Sequence, residues 1–123
     1  MNAQEIVAAN VAARGYRDGW TAEQFVARQL AKMTEELGDA GKTIYGTDCA
    51  WWLGQLGVAG GRGRAMFDSP HAWESILISD PDALRSELAD MQVVLFTAAQ
   101  ALDFDVVQAA IDKSAADVAR GVR

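Results

Sequence analysis

The sequence has little of several features on which common protein classes depend. Cys49 is the single cysteine, which excludes an internal disulfide framework and a cysteine-based zinc site. Lysine and arginine number 11 against 17 acidic residues, and the net charge of −6 argues against nucleic acid or an anionic membrane as the main partner. No apolar run approaches the roughly 18 residues of a membrane span, and no signal peptide is recognisable at the N-terminus. We therefore expect a cytoplasmic protein with no nucleic-acid and no membrane partner.

Proline and glycine are scarce outside one part of the chain. There are 2 prolines against 23 alanines, a composition that favours helix. Eight of the 11 glycines lie between Gly38 and Gly63, and Gly121 is the only glycine after Arg64. Irregular structure is therefore expected in the middle, with helices on both sides. Half of the 123 residues are hydrophobic, which is enough for a core, and the length fits a single domain over 1–123. We predict a domain of the all-α class, folded as a helical bundle.

Two helices are predicted before the glycine-rich middle. An alanine-rich helix covers about 3–13 and is ended by Gly15 and Gly19. Thr21 and Gln24 have the spacing of a capping box and open a second helix that runs to about Asp39. Apolar residues of this second helix recur at steps of four, three and four and form one face, made of Val26, Leu30, Met33 and Leu37.

The middle segment carries weaker signals. We predict a short helix over 47–53, a flexible glycine-rich loop over 57–64, and a second short helix over 69–76 that opens with a Ser-Pro pair.

The strongest helical pattern follows Asp80 and Pro81, a typical helix start. After Asp90 nearly every face is apolar, and such a helix is normally buried. One small subunit has too little surrounding core to cover it, so we expect a homodimer or a dimer of dimers. The main apolar stripe consists of Leu84, Leu88, Met91, Leu95, Ala98 and Leu102.

A last helix is predicted at the C-terminal end. Asp105 and Gln108 have the spacing of a capping box, and Gly121 is a typical residue after a helix end. The helix should therefore run to about Arg120.

Two groups of acidic residues stand out. Glu35, Glu36 and Asp39 share one arc of the second helix, away from its apolar face. Glu87 and Asp90 lie one turn apart on the most apolar helix. Neighbouring carboxylates repel each other and burial adds to the cost, whereas Mg²⁺ or Mn²⁺, which prefer oxygen ligands, would relieve both effects. The alternatives are a solvated face for the first group and, for the second, acids near a helix N-terminus, where the helix dipole favours them. The pattern favours metal binding over both.

The order and spacing of these residues resemble the signature of the MazG-like, all-α nucleoside triphosphate pyrophosphohydrolases. The first block is KxxEExxD over 32–39, and the second is ExxD over 87–90. A third stretch, KxxxDxxR over 113–120, is similar to the family's KxxxNxxR. The resemblance covers roughly half of the chain. It implies an all-α bundle of this family's type, completed by dimerisation.

The resemblance also implies a reaction and a set of roles. Such enzymes cleave a nucleoside triphosphate between the α and β phosphates and release a monophosphate and pyrophosphate. Mg²⁺, with Mn²⁺ as a possible substitute, would be held by carboxylates of both blocks, and Glu35 or Glu36 would activate water. Cations would contact substrate phosphates, and Asp117 would add a polar contact. The implied metal ligands are Glu36, Asp39, Glu87 and Asp90, and the implied phosphate-binding residues are Lys32, Lys113 and Arg120.

Three departures from the family pattern keep alternatives open. Asp39 stands where members carry glutamate, Asp117 replaces an asparagine, and the segment between the two acidic blocks is longer than is common. The alternatives are a relative specialised for dUTP or phosphoribosyl-ATP, and a non-catalytic helical dimerisation or regulatory module.

Overall fold

The structure is a computed structural model that describes residues 1–45 and 77–121. The two short helices and the loop expected within 47–76 lie outside the described residues. The chain divides into two compact units. The first unit comprises Met1–Lys32 and Gln92–Arg123, and the second comprises Met33–Met91. Each unit is described by itself.

Helix dominates the described part of the chain, which confirms the all-α prediction. The four helices described there start and end within about two residues of the predicted limits. They are α1 (Ala3–Ala13), α2 (Ala22–Gly41), α3 (Pro81–Ala101) and α4 (Val106–Arg120).

The connection between α1 and α2 has the predicted form. Gly15 and Gly19 adopt φ angles of +78° and +79°, which residues with a Cβ rarely adopt. Helix α1 therefore ends before them. The capping box also forms. The Thr21 amide donates to Gln24 Oε1, and the Gln24 amide donates to Thr21 Oγ1, both at 3.1 Å.

Side-chain caps also fix the ends of α3 and α4. Asp80 Oδ1 accepts a backbone hydrogen bond of 3.0 Å from the first turn of α3. Asp105 Oδ1 accepts the Gln108 amide at 3.0 Å, which is one half of the predicted capping box. The other half does not form between these two described residues, and the Gln108 side chain instead donates to Asp112. Gly121 closes α4 in the left-handed conformation, with φ of 73°.

A short antiparallel ladder joins two segments of the second unit. Strands β1 (Ile44–Tyr45) and β2 (Leu77–Ile78) pair with Ile44 opposite Ile78. Beside the ladder, the Ser79 amide and hydroxyl both donate to the Thr43 carbonyl, at 2.9 and 2.8 Å. The sequence analysis predicted no strand, because two residues are too few to show an alternating pattern.

The core of the first unit combines small apolar residues with paired polar ones. Phe25, Val94 and Ala99 are each no more than 3% exposed. Gln29 donates to Thr97 Oγ1 at 2.5 Å in the same interior, so neither polar group lacks a partner.

Gln4 links distant parts of the first unit. Its amide nitrogen donates to the Phe104 carbonyl at 2.7 Å and to Gln100 Oε1 at 3.1 Å. Its amide oxygen accepts the Val106 amide at 3.0 Å. One buried side chain therefore holds α1 against the connection between α3 and α4.

The buried face of α2 differs from its predicted apolar face. Leu30 is 65% exposed and Leu37 is 40% exposed. Phe25 and Gln29 are buried in the first unit, and Glu36 and Ala40 in the second. A polar side chain with a partner, such as Gln29, can replace a leucine at a buried position, and hydrophobic periodicity cannot register this.

Part of the apolar surface of α3 is exposed in the single chain, where a helix that is apolar on nearly every face is expected to need a second subunit for complete burial. Leu88, Leu95 and Leu102 are between 45% and 53% exposed. The buried residues of the helix are Val94, Thr97 and Ala99. The side chains that cover α3 in the described residues are therefore too few for its apolar surface.

Helix α4 contributes no buried residue over its described length. Val107, Ile111 and Val118 are 47%, 55% and 79% exposed. Among the described residues, α3 and α4 satisfy the length and hydropathy of a membrane span only when taken together, across a bend of 100°, and no helix does so alone.

Candidate metal centre

Three of the predicted acidic residues converge in the second unit. Glu36, Asp39 and Glu87 each offer a carboxylate oxygen, and these oxygens lie within 4.8 Å of one another. Glu36 and Asp39 are one turn apart on α2, so the helical repeat places them side by side. Glu87 comes from the second turn of α3. We call Glu36, Asp39 and Glu87 the carboxylate group.

Burial strengthens the electrostatic interactions within the carboxylate group. Glu36 is 8% exposed, and Asp39 and Glu87 are half-buried. Three negative charges this close repel one another, and the repulsion grows as water is excluded. A cation at this place would reduce that repulsion.

Lys42 supplies one positive charge at the edge of the group. Its Nζ lies 3.5 Å from Asp39 Oδ1, at the long end of the range for an ion pair. Its side chain is 77% exposed, so the pair is weak and salt-sensitive. Lys42 is not among the predicted site residues, although its spacing of three from Asp39 indicates a possible ion pair on a helix.

The other two acids of the two predicted blocks lie outside the carboxylate group. Glu35 and Asp90 are both exposed. Each belongs to the second unit, next to Glu36 on α2 and one turn after Glu87 on α3. Three of the four predicted metal ligands are thus brought together, and Asp90 is not among them.

The predicted phosphate-binding residues belong to the first unit. Lys32 is exposed near the end of that unit's part of α2. Lys113 and Arg120 project from α4, and both bind Asp117: Lys113 Nζ lies 2.5 Å from Asp117 Oδ1, and Arg120 Nη2 contacts the same oxygen. Hydrogen bonds from Lys113, and then from Arg120, hold the pKa of Asp117 below its ordinary value. Asp117 is thus the counterion of two predicted phosphate ligands.

The chemistry of the carboxylate group fits a hard divalent cation. Mg²⁺ and Mn²⁺ bind carboxylate oxygens, and Mg²⁺ commonly keeps several positions for water or phosphate. Three carboxylates leave such positions open. Glu36, Asp39 and Glu87 are therefore the described residues best placed to hold one.

Comparisons with protein-family models, curated proteins and solved structures give no match for this chain.

Proposed function

We propose that the protein is a Mg²⁺-dependent nucleoside triphosphate pyrophosphohydrolase, with Mn²⁺ as a possible substitute. It would cleave between the α and β phosphates and release a nucleoside monophosphate and pyrophosphate. The observation that supports this proposal is the convergence of Glu36, Asp39 and Glu87 within 4.8 Å. These residues come from the two acidic blocks on which the resemblance to MazG-like enzymes depends.

The carboxylates have distinct roles in the proposed reaction. Glu36, Asp39 and Glu87 hold the metal ion, and Asp90 is proposed as its fourth carboxylate ligand. When bound, Mg²⁺ neutralises charge on the phosphate oxygens. Glu35 or Glu36 orients the attacking water and accepts its proton.

The proposed phosphate ligands are Lys32, Lys113 and Arg120. Arginine and lysine form charge-assisted hydrogen bonds to phosphate. For Lys113 and Arg120, binding substrate means exchanging the carboxylate of Asp117 for phosphate oxygens. Asp117 therefore competes with substrate for these two cations. When no substrate is bound, it keeps both side chains ordered.

A homodimer or a dimer of dimers is part of the proposal. The exposed leucines of α3 and the exposed apolar residues of α4 support it, because contiguous apolar surface is usually covered by another protein surface. A cytoplasmic location, without nucleic acid or membrane as partner, also belongs to the proposal.

Product analysis tests the reaction directly. The protein is incubated with Mg²⁺ and, separately, each common NTP and dNTP, including dUTP, and with phosphoribosyl-ATP. Formation of monophosphate and pyrophosphate supports the proposal, and relative rates identify the preferred substrate. Diphosphate with free phosphate would show that a different bond is cleaved.

A variant of the carboxylate group tests the assignment of the metal ligands. Glu87→Gln should lower kcat at least about a hundredfold. Metal assistance lowers the activation barrier by several kcal/mol, and each 1.36 kcal/mol changes the rate tenfold. Glu23→Gln, an exposed position in the first turn of α2, is the matched control and should keep full activity. Equal activity of the two variants would contradict the assignment.

Thermal unfolding separates the enzyme from the non-catalytic module. A metal that binds only the folded chain raises its Tm, and the rise grows with the ratio of the metal concentration to Kd. Mg²⁺ should raise the Tm of the wild type and of Glu23→Gln but not of Glu87→Gln. A Tm that is indifferent to Mg²⁺ and Mn²⁺, together with no turnover, would favour the module.

A further inference from the structure

The turn between α1 and α2 gathers arginines around aromatic rings. Arg14 lies over the ring of Tyr16, with its Cζ 4.8 Å from the ring centre. Arg28, from α2, lies over the same ring at 5.6 Å and over the Trp20 ring at 5.1 Å. Both guanidinium groups thus lie against the ring of one exposed tyrosine. We call Arg14, Tyr16, Trp20 and Arg28 the arginine–aromatic cluster, which lies wholly in the first unit.

The arginines of this cluster have hydrogen-bond donors to spare. A guanidinium carries five N–H donors. Within residues 1–45 and 77–121, the Arg28 guanidinium donates once, to the Tyr16 carbonyl at a long 3.4 Å, and the Arg14 side chain makes neither a hydrogen bond nor an ion pair. Acidic residues outnumber basic ones in this chain, so arginines left without a carboxylate partner need a different explanation.

Arg17 adds a third positive charge in the same turn. Its Cζ lies 4.9 Å from the centre of the Phe25 ring. Its Nε is buried and has no hydrogen-bond partner. An unsatisfied buried donor costs free energy. Because this Nε is buried, Arg17 can act on an anion at the surface of the turn only through its positive charge.

The nearby acidic side chain does not neutralise the cluster. Asp18 lies in the same turn, and its Oδ2 would be 3.2 Å from a Cβ built on Gly15. In the described residues, Asp18 forms no ion pair with the arginines of the turn. Its carboxylate is therefore turned toward the backbone of Gly15.

Contact with aromatic rings prepares the arginines for an anion. Such contact limits the motion of a long side chain before any ligand arrives, which lowers the entropic cost of binding. Phosphate suits the guanidinium because its oxygens accept two parallel N–H bonds. The residues Tyr16 and Trp20 are 40% and 43% exposed, and their rings offer apolar surface beside the anion.

We propose that the arginine–aromatic cluster is a phosphate-binding site that acts without a metal ion. Arg14 and Arg28 bind the phosphoryl oxygens, and Arg17 contributes positive potential. The ligand is a phosphate group, carried either by free phosphate or by a small phosphorylated molecule with a ring. The proposal does not depend on the reaction proposed above, since none of these residues has a role in it.

Calorimetric titration in EDTA tests this site. EDTA removes divalent cations, so the carboxylate group cannot contribute. Inorganic phosphate and AMP are the probes, and saturable binding of one phosphate per chain is expected. Tighter binding of AMP would identify a ring-bearing phosphate as the ligand, and equal binding would identify the free anion. No saturation by either probe up to about 10 mM would overturn the proposal.

Two arginine variants and one control locate the binding. Arg14→Gln and Arg28→Gln should each weaken binding at least about tenfold, the effect of losing one charge-assisted hydrogen bond. Arg85→Gln, an exposed arginine on α3 in the other unit, should leave binding unchanged. Equal loss in all three variants, or none in the first two, would overturn the proposal.

A measurement on the wild type keeps the test independent of the folding of the variants. In an NMR titration with AMP, the indole N–H signal of Trp20 should shift, and Trp20→Phe identifies this signal among the tryptophans. A titration in which other indole signals shift and that of Trp20 does not would place the site elsewhere.

Discussion

At the scale of single residues, Asp117 has two opposing effects on α4. It orders Lys113 and Arg120 by binding both, and it occupies the donors that a phosphate would need. An asparagine, which resembling enzymes carry at this point, would accept hydrogen bonds without adding a negative charge. Under the proposed function, the aspartate would order both side chains and weaken their binding to phosphate.

The titration of Asp117 provides a test at this scale. Its folded-state pKa lies below the ordinary value because Lys113 and Arg120 bind the charged form. The resulting stabilisation is complete above the unfolded-state pKa and is lost as pH falls through the folded-state pKa. Lys113→Gln should therefore raise the pKa of Asp117, as measured by NMR of its carboxyl carbon. Lys42→Gln is the control and should not change it; equal titration curves for the Lys113 variant and the wild type would contradict the assignment.

At the scale of elements, local chemistry sets the helix ends. Thr21, Asp80 and Asp105 all cap the helices that the sequence predicts, because a cap depends on residues three or four apart in the chain. The faces that the helices bury depend on distant partners instead. Gln29 is buried because Thr97, on another helix, accepts its hydrogen bond.

The start of α2 allows a quantitative test. Thr21→Ala removes the hydroxyl that accepts the Gln24 amide and should lower the free energy of unfolding by about 1 kcal/mol. Thr21→Ser keeps an acceptor and should stay close to the wild type. Denaturant unfolding measures both variants. A loss of equal size in the serine variant would mean that the methyl group, rather than the cap, stabilises this end.

The carboxylate group shows which part of a site can be predicted from sequence. Glu36 and Asp39 share a helix, so their proximity follows from the helical repeat. That Glu87 joins them, and Asp90 does not, depends on how α2 and α3 pack in the second unit. The spacing of Glu87 and Asp90 is the same whichever of the two points toward α2. The sequence therefore indicates which acidic residues share a helix, but it could not select which acid of α3 lies beside Glu36 and Asp39.

At the scale of the whole molecule, the exposed apolar surface of α3 and α4 favours contact with another protein surface. Leu95, Val107 and Ile111 line a cavity of about 480 Å³ between α3 and α4 in the first unit. Burying apolar area contributes roughly 25 cal/mol per Å², so such a surface favours association. A second copy presents the same surface and can form a two-fold contact with it.

The oligomeric state should respond to charge on this surface. Ile111→Glu places a carboxylate where apolar contact is expected and should shift the protein toward monomer. Ala109→Glu adds the same charge elsewhere on α4, about 200° around the helix, and should leave the mass unchanged. Light scattering coupled to gel filtration measures both variants. A monomeric wild type, or equal masses for all three proteins, would contradict self-association through this surface.

The hydrogen bonds of Gln4 have a consequence for synthesis on the ribosome. They join the beginning of the chain to residues 96 to 102 positions later. The first unit needs both of its segments, so its N-terminal part can complete its packing only after the second segment has been synthesised. The second unit is continuous in sequence and is synthesised before that segment. During translation, α1 therefore cannot make the Gln4 contacts until residues 100 to 106 have emerged.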